Sequence, residues 1–141
     1  MIAWRFRGPA VALLFAGALA GCASAGPPRV CDGKTGVTTM LYFGLSRKDG
    51  GRISARVWER FVHHDVAHAF PNGFTVLSGR GNWRHPGTGK ALWEPSRVIL
   101  RVHDGAEADH KAIVALTVLY KHRFGQEAVL RVDHSTGCIT F

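Results

Sequence analysis

Ser96-Arg97-Val98-Ile99-Leu100-Arg101-Val102-His103 alternates without a break, Val98, Leu100 and Val102 on one side and Arg97, Ile99, Arg101 and His103 on the other. Alternation with period two in β-branched and long apolar residues marks a half-buried strand. The apolar trio predicts the face that lies under helices. Immediately upstream, Phe74–Ser78 (FTVLS) is a second short strand, separated from it by the glycine-rich stretch Gly79–Lys90. That stretch has no Gly-Lys-Ser/Thr phosphate-loop pattern and no following helix, so it reads as the extended arms of a β-hairpin turning near Pro86-Gly87-Thr88-Gly89. Trp83 and Trp93 are placed to stack across its arms, and Glu94, held extended before Pro95, to meet Arg80 or Arg84.

Further out the pattern changes period. Ser54 caps a helix that runs to about Phe70, with Ile53 and Trp58 at the spacing of a hydrophobic staple. Its stripe is Trp58, Phe61, Val62 and Ala69, with Val57 and Val66 on the shoulders, and Pro71-Asn72-Gly73 stops it. Asp65 projects into that stripe and needs a partner, an arginine or a free backbone amide. Downstream of the opening strand, Asp104 and Glu107 have capping-box spacing for a second helix with the stripe Ile113, Leu116, Tyr120 and Phe124. Gly125 ends it in the position of a left-handed cap. Thr38–Ser46 (TTMLYFGLS) is the first strand, Thr39, Leu41, Phe43 and Leu45 sharing a face, and Glu127–Asp133 (EAVLRVD) is the last, its face of Ala128, Leu130 and Val132 expected under the helices with the apolar trio.

The resulting order, β-α-β-β-α-β, predicts an α+β ferredoxin-like sandwich. Right-handed crossovers arrange its four-stranded antiparallel sheet as 4-1-3-2, with both helices on one face. No internal repeat interrupts the pattern.

The first 22 residues give an address. Arg5 and Arg7 precede an apolar segment, Val11–Leu19, that ends in Leu19-Ala20-Gly21-Cys22. A basic start and an apolar core too short for a spanning helix read as an export signal. The ending resembles a bacterial lipobox, with Cys22 as the lipidated first residue of the mature chain. The expected organisation is a lipoprotein signal at 1–21, a flexible tether at 22–36 and one domain at 37–141. Localisation follows as the cell envelope, lipid-anchored at the periplasmic face of the outer membrane. The whole chain has 18 Lys and Arg against 10 Asp and Glu, a formal charge of +8, part of which leaves with the signal. The excess is spread without a run of like charges, and export argues against nucleic acid as a partner. With Cys22 acylated, Cys31 and Cys138 remain in an oxidising compartment. Strand four beside strand one brings their flanks together, so a Cys31–Cys138 disulfide is expected.

In combination, Leu41-Tyr42-Phe43-Gly44-Leu45, the Trp58/Phe61 helix, Phe70-Pro71-Asn72-Gly73-Phe74, Gly81-Asn82-Trp83-Arg84, Glu94-Pro95-Ser96 and the segment Tyr120–Arg131 resemble a bacterial envelope family catalogued as domain of unknown function 3574. The likeness covers about residues 36–141. It implies a small exported protein and assigns no activity.

The sheet face opposite the apolar trio carries the candidate site. There Tyr42, Arg101 and Arg131 are placed to form an anion or carboxylate clamp, with His103 beside them. A clamp of this kind predicts that either arginine can be lost without harm to the fold. The same face also reads as a homodimer contact or plain solvated surface. His64 and His68, one helical turn apart, are weak metal candidates with no third ligand that the sequence places. A polar helix rim explains them as well, and no metal or cofactor is assigned. No nucleophile elbow or acid–base pair is legible. The leading functional reading is a non-catalytic binding or assembly module of the envelope, with a homodimer or an envelope protein as partner besides the membrane. The alternative is a small-anion binder, enzymatic or not, using the arginine/tyrosine clamp.

Overall fold

The structure, a computed structural model, describes residues 33–85 and 87–140. Four strands, β1 (Lys34–Gly44), β2 (Thr75–Arg84), β3 (Ala91–His103) and β4 (Leu130–Ile139), form one antiparallel sheet in the order β2-β3-β1-β4. Two helices pack on one of its faces, giving the expected ferredoxin-like α+β sandwich. β1 starts at Lys34, so the strand takes in the last residues of the expected tether.

The first helix occupies residues 55–69 and is not uniform. Ala55–Phe61 and Ala67–Ala69 are α-helical, whereas Val62–Val66 is a π-helical turn in which the Ala67 N–H reaches back to the Val62 carbonyl. The Ser54 hydroxyl caps the start by accepting from the Val57 N–H at 3.4 Å. One residue inserted into a turn rotates everything after it by roughly 100° about the axis. That rotation moves Val66 from the expected shoulder to full burial and brings Phe70 into the core, leaving Ala69 at the edge. Asp65 finds the expected arginine: Arg123 grips it with both terminal nitrogens, Nη2 at 2.9 Å from Oδ1.

The second helix, Glu107–Phe124, buries its predicted stripe of Ile113, Leu116, Tyr120 and Phe124, and Gly125 closes it at φ 66°. Asp104 forms no capping box, because the helix starts later; its carboxylate accepts the Ala106 N–H at 2.9 Å instead. Phe43 sits at the centre of the core, its ring centroid 4.6 Å from Tyr120, 5.6 Å from Trp58 and 5.8 Å from Phe61. Edge-to-face packing of this kind adds to the free energy of burying the rings.

Two strand faces are the reverse of the expectation. Residues directly opposite in an antiparallel pair share a face. Leu41, fully buried under the helices, stands opposite Ile99 on one side and Arg131 on the other, and Thr39 opposite Arg101 and Asp133. The helix-covered face therefore carries Arg97, Ile99, Arg101, His103 and Arg131. Val98, Leu100, Val102, Leu130 and Val132 lie on the open face with Met40 and Tyr42. The apolar trio of β3 is packed by its cross-strand neighbours, Val98 lying between Tyr42 and Leu77.

Candidate functional site

The expected clamp does not assemble. Tyr42 is on the open face, whereas Arg101, His103 and Arg131 sit across the sheet from it, near the start of the second helix. There they are absorbed in structure. Arg101 is 8 % exposed; its Nη1 donates to the carbonyls of Gly73 at 3.2 Å and Val102 at 2.7 Å, and its Nη2 to Asp109 at 3.3 Å. The Gly105 N–H donates to His103 Nδ1 at 3.1 Å, which leaves the ring proton on Nε2 facing Thr39 Oγ1 at 3.0 Å. The Thr39 hydroxyl donates a hydrogen bond to Asp133 at 2.5 Å, and Arg131 Nε donates to the same carboxylate at 3.0 Å. Burial raises the Asp133 carboxyl, but the hydrogen bonds from Thr39 and Arg131 and the charge of Arg131 outweigh it, and the net pKa lies below the usual value. This is a polar seam joining β1, β3 and β4 to the second helix, and among its described atoms Arg101 Nε is buried without a hydrogen-bond partner.

The open face holds a different site. At the end of the sheet where β1 finishes, a cleft of about 900 Å³ runs over Tyr42, Ser46, Trp83, Leu92, Glu94 and Gln126. That volume falls within the range of small-molecule pockets. Open-face position 81 on β2, in the cleft lining, is glycine, and a Cβ built there meets nothing closer than 3.9 Å. The floor there is bare backbone with room above it. Trp83, on the same face, tilts 32° to the His85 ring at 5.8 Å between centroids, and Tyr42 directs its hydroxyl to Met40 Sδ at 3.7 Å.

Two acids line this cleft, Glu94 and Glu127, and Glu94 is the one held against the backbone. Its carboxylate lies over Gly44, where a Cβ would come within 2.6 Å of Oε1 and 2.7 Å of Oε2. The Ser46 N–H donates to Oε2 at 3.1 Å. The turn that supplies this amide is fixed from several sides. The Leu45 N–H donates to the Pro95 carbonyl at 3.0 Å, Gln126 Nε2 to the Ser46 carbonyl at 2.5 Å, and the Tyr120 hydroxyl to the Gly44 carbonyl at 2.8 Å. Burial first, and the Glu94 charge second, push the Tyr120 phenol well above its ordinary pKa. The phenol thus stays protonated and acts as a strut. Glu94, Ser46, Gly44 and Gln126 were not singled out as site residues from sequence. The signal available was Glu94 before Pro95, and without the strand register it pointed to the wrong partner. Arg80 instead covers Trp93, 4.8 Å above the ring, and Arg84 donates to the Gly89 carbonyl at 2.8 Å. Trp83 pairs with Leu92 and Trp93 with Asn82, so the two tryptophans occupy opposite faces and do not stack.

His64 and His68 are exposed on the first helix, and no group of three possible metal ligands forms among the described residues. Cys22 and Cys31 lie outside the described residues. No disulfide joins two described residues, and Cys138 stands on β4 with its sulfur engaged.

The fold has relatives among solved structures. A phage SAM lyase in complex with S-methyl-5′-thioadenosine superposes with a TM-score of 0.59 at 17 % identity, covering 80 % of this chain and 90 % of that one. A phage SAM lyase in its apo state gives 0.53 at 20 % identity, over 76 % and 86 %. No curated protein matches the sequence. The expectation of a lipoprotein of the outer membrane is corrected accordingly: the fold it shares is that of a phage enzyme, and no helix among the described residues is long and apolar enough to cross a membrane. Neither fold nor family supplies an envelope role. Residues 38–141 match the family described as protein of unknown function, DUF3574, and the chain belongs to that family.

Proposed function

We propose that this protein binds a small molecule in the open-face cleft, with a flat apolar part of the ligand against Tyr42 and Trp83 and a polar group at Glu94. The observation that carries the reading is the cleft itself: a pocket-sized volume over glycine-bare strand, containing one carboxylate whose position is braced through Gly44–Ser46. A preformed polar group inside an apolar cleft is what ligand recognition requires. The phage enzyme of similar fold is described in complex with S-methyl-5′-thioadenosine, a ligand of suitable size for this cleft. A nucleoside thioether is therefore the first class to test. Calorimetric titration with S-methyl-5′-thioadenosine should give saturable binding, and Trp83→Ala should weaken it at least about tenfold by removing the stacking surface. No heat and no change in tryptophan emission up to about 1 mM ligand, where binding free energy falls to about 4 kcal/mol, would reject the reading.

A second reading concerns the same face. Leu77, Leu92 and Leu130 are exposed there, Leu130 by 59 %, and a second copy of the chain docked on them would bury that apolar surface. Sedimentation equilibrium separates the two: a monomer at micromolar concentration removes the docking reading and leaves the cleft reading untouched.

A further inference from the structure

We infer that the cleft selects a positively charged ligand, an organic ammonium or sulfonium group seated against Glu94. The inference rests on the cleft being a ligand site and adds the sign of the charge it takes. It reverses the anion clamp expected from sequence, because the arginines of that clamp are on the other side of the sheet.

The charges around the cleft are unequal in their commitments. Glu127 at the rim is paired with Lys48 at 3.4 Å, and Asp49 with Arg47 at 3.6 Å. Glu94 has no ion pair among the described residues, and its one hydrogen bond is the neutral Ser46 amide on Oε2. Oε1 has no donor. The nearby phenol does not neutralise it, because the Tyr120 proton is committed to the Gly44 carbonyl. A half-buried carboxylate left in this condition costs free energy that a cation recovers. The walls favour the same sign. Tyr42 and Trp83 line the cleft with Glu94, and the faces of aromatic rings attract cations, most strongly diffuse organic ones that shed water readily. Arg52 also lines the cleft and has no side-chain partner among the described residues, but it is exposed, so its repulsion is screened by water and salt. An ammonium or sulfonium with an anionic tail would meet both charges at once.

A matched pair of probes isolates the charge. S-adenosylmethionine and S-adenosylhomocysteine have the same nucleoside and the same tail and differ by one methyl group and one positive charge on sulfur. By calorimetry the sulfonium should bind about tenfold tighter or more, the size of one charge-assisted contact. Glu94→Gln retains an oxygen for the Ser46 amide and should collapse that ratio to near one while leaving the neutral thioether within about twofold. Trp83→Leu should weaken both probes together, since it alters the wall and leaves the charge. Equal affinity of the two probes for the unaltered protein, or a ratio that survives Glu94→Gln, overturns the charge inference and leaves the cleft reading standing. Failure of both probes to bind overturns both.

Discussion

Tyr120 shows how one buried hydroxyl serves packing and site together. Its ring belongs to the aromatic core with Phe43, Phe61 and Phe124, and its hydroxyl holds the Gly44 carbonyl directly beneath the Glu94 carboxylate. Tyr120→Phe keeps the ring and removes the bond, and should cost about 1 kcal/mol in denaturant unfolding, more if the freed carbonyl finds no water. The same substitution should change the alkaline limb of stability. The folded phenol has a pKa above its unfolded value, so folding favours the protonated form. Its contribution is complete below about pH 10, the unfolded tyrosine value, and drains away as pH rises further. Unfolding curves taken at successive pH values above that point should fall less steeply for Tyr120→Phe than for the parent protein. Parallel slopes would mean the phenol titrates the same in both states.

At the level of elements, β3 teaches the most, because its alternation is real and its apolar trio is on the uncovered side. Period two announces two faces and does not say which one a helix covers when both carry apolar residues. Leu41 decides it: that residue must be buried, and register then takes Ile99 and Arg131 with it. Arg101 tolerates the inner face because it stands near the end of the sheet, where Asp109, the Gly73 carbonyl and the Phe70 ring complete its surroundings. A consequence separates this arrangement from a surface clamp. Arg101→Ala should destabilise the fold by about 3 kcal/mol, the low end for breaking a buried ion pair, since Asp109 keeps some access to water. A midpoint unchanged in urea would return Arg101 to the surface. The π-helical turn was illegible for a related reason. A periodic stripe assumes constant rotation per residue, and only the burial of Val66 and Phe70 reveals the extra residue between Phe61 and Ala67. Elements whose two faces differ strongly, such as the second helix with its four-residue stripe and glycine cap, were readable outright.

Across the whole molecule, strand order was legible and the candidate site was not. Order follows from crossover handedness and element sequence, which are properties of the chain. The cleft is assembled from the end of β1, the distal β2–β3 hairpin and the segment after the second helix, and no local pattern announces that meeting. The same geometry sets an uneven distribution of stability. β1 is hydrogen-bonded on both sides, to β3 and β4, and carries Leu41 and Phe43 into the core. β2 is an edge strand bonded only to β3, and its distal half continues past the helix-covered core, where residues 80–84 are mostly exposed. Opening that half exposes little new apolar surface and breaks few bonds, so it should occur without global unfolding. Native-state hydrogen exchange should therefore find the amides of Met40–Phe43 protected up to the full unfolding free energy, and those of Arg80–Arg84 exchanging through smaller openings. Occupation of the cleft should slow the second group selectively, because Trp83 belongs to the moving arm while Gly44 and Ser46 belong to the fixed one. Uniform protection across both strands would show that the hairpin and core open as one unit, and the cleft would then have to be rigid before any ligand arrives.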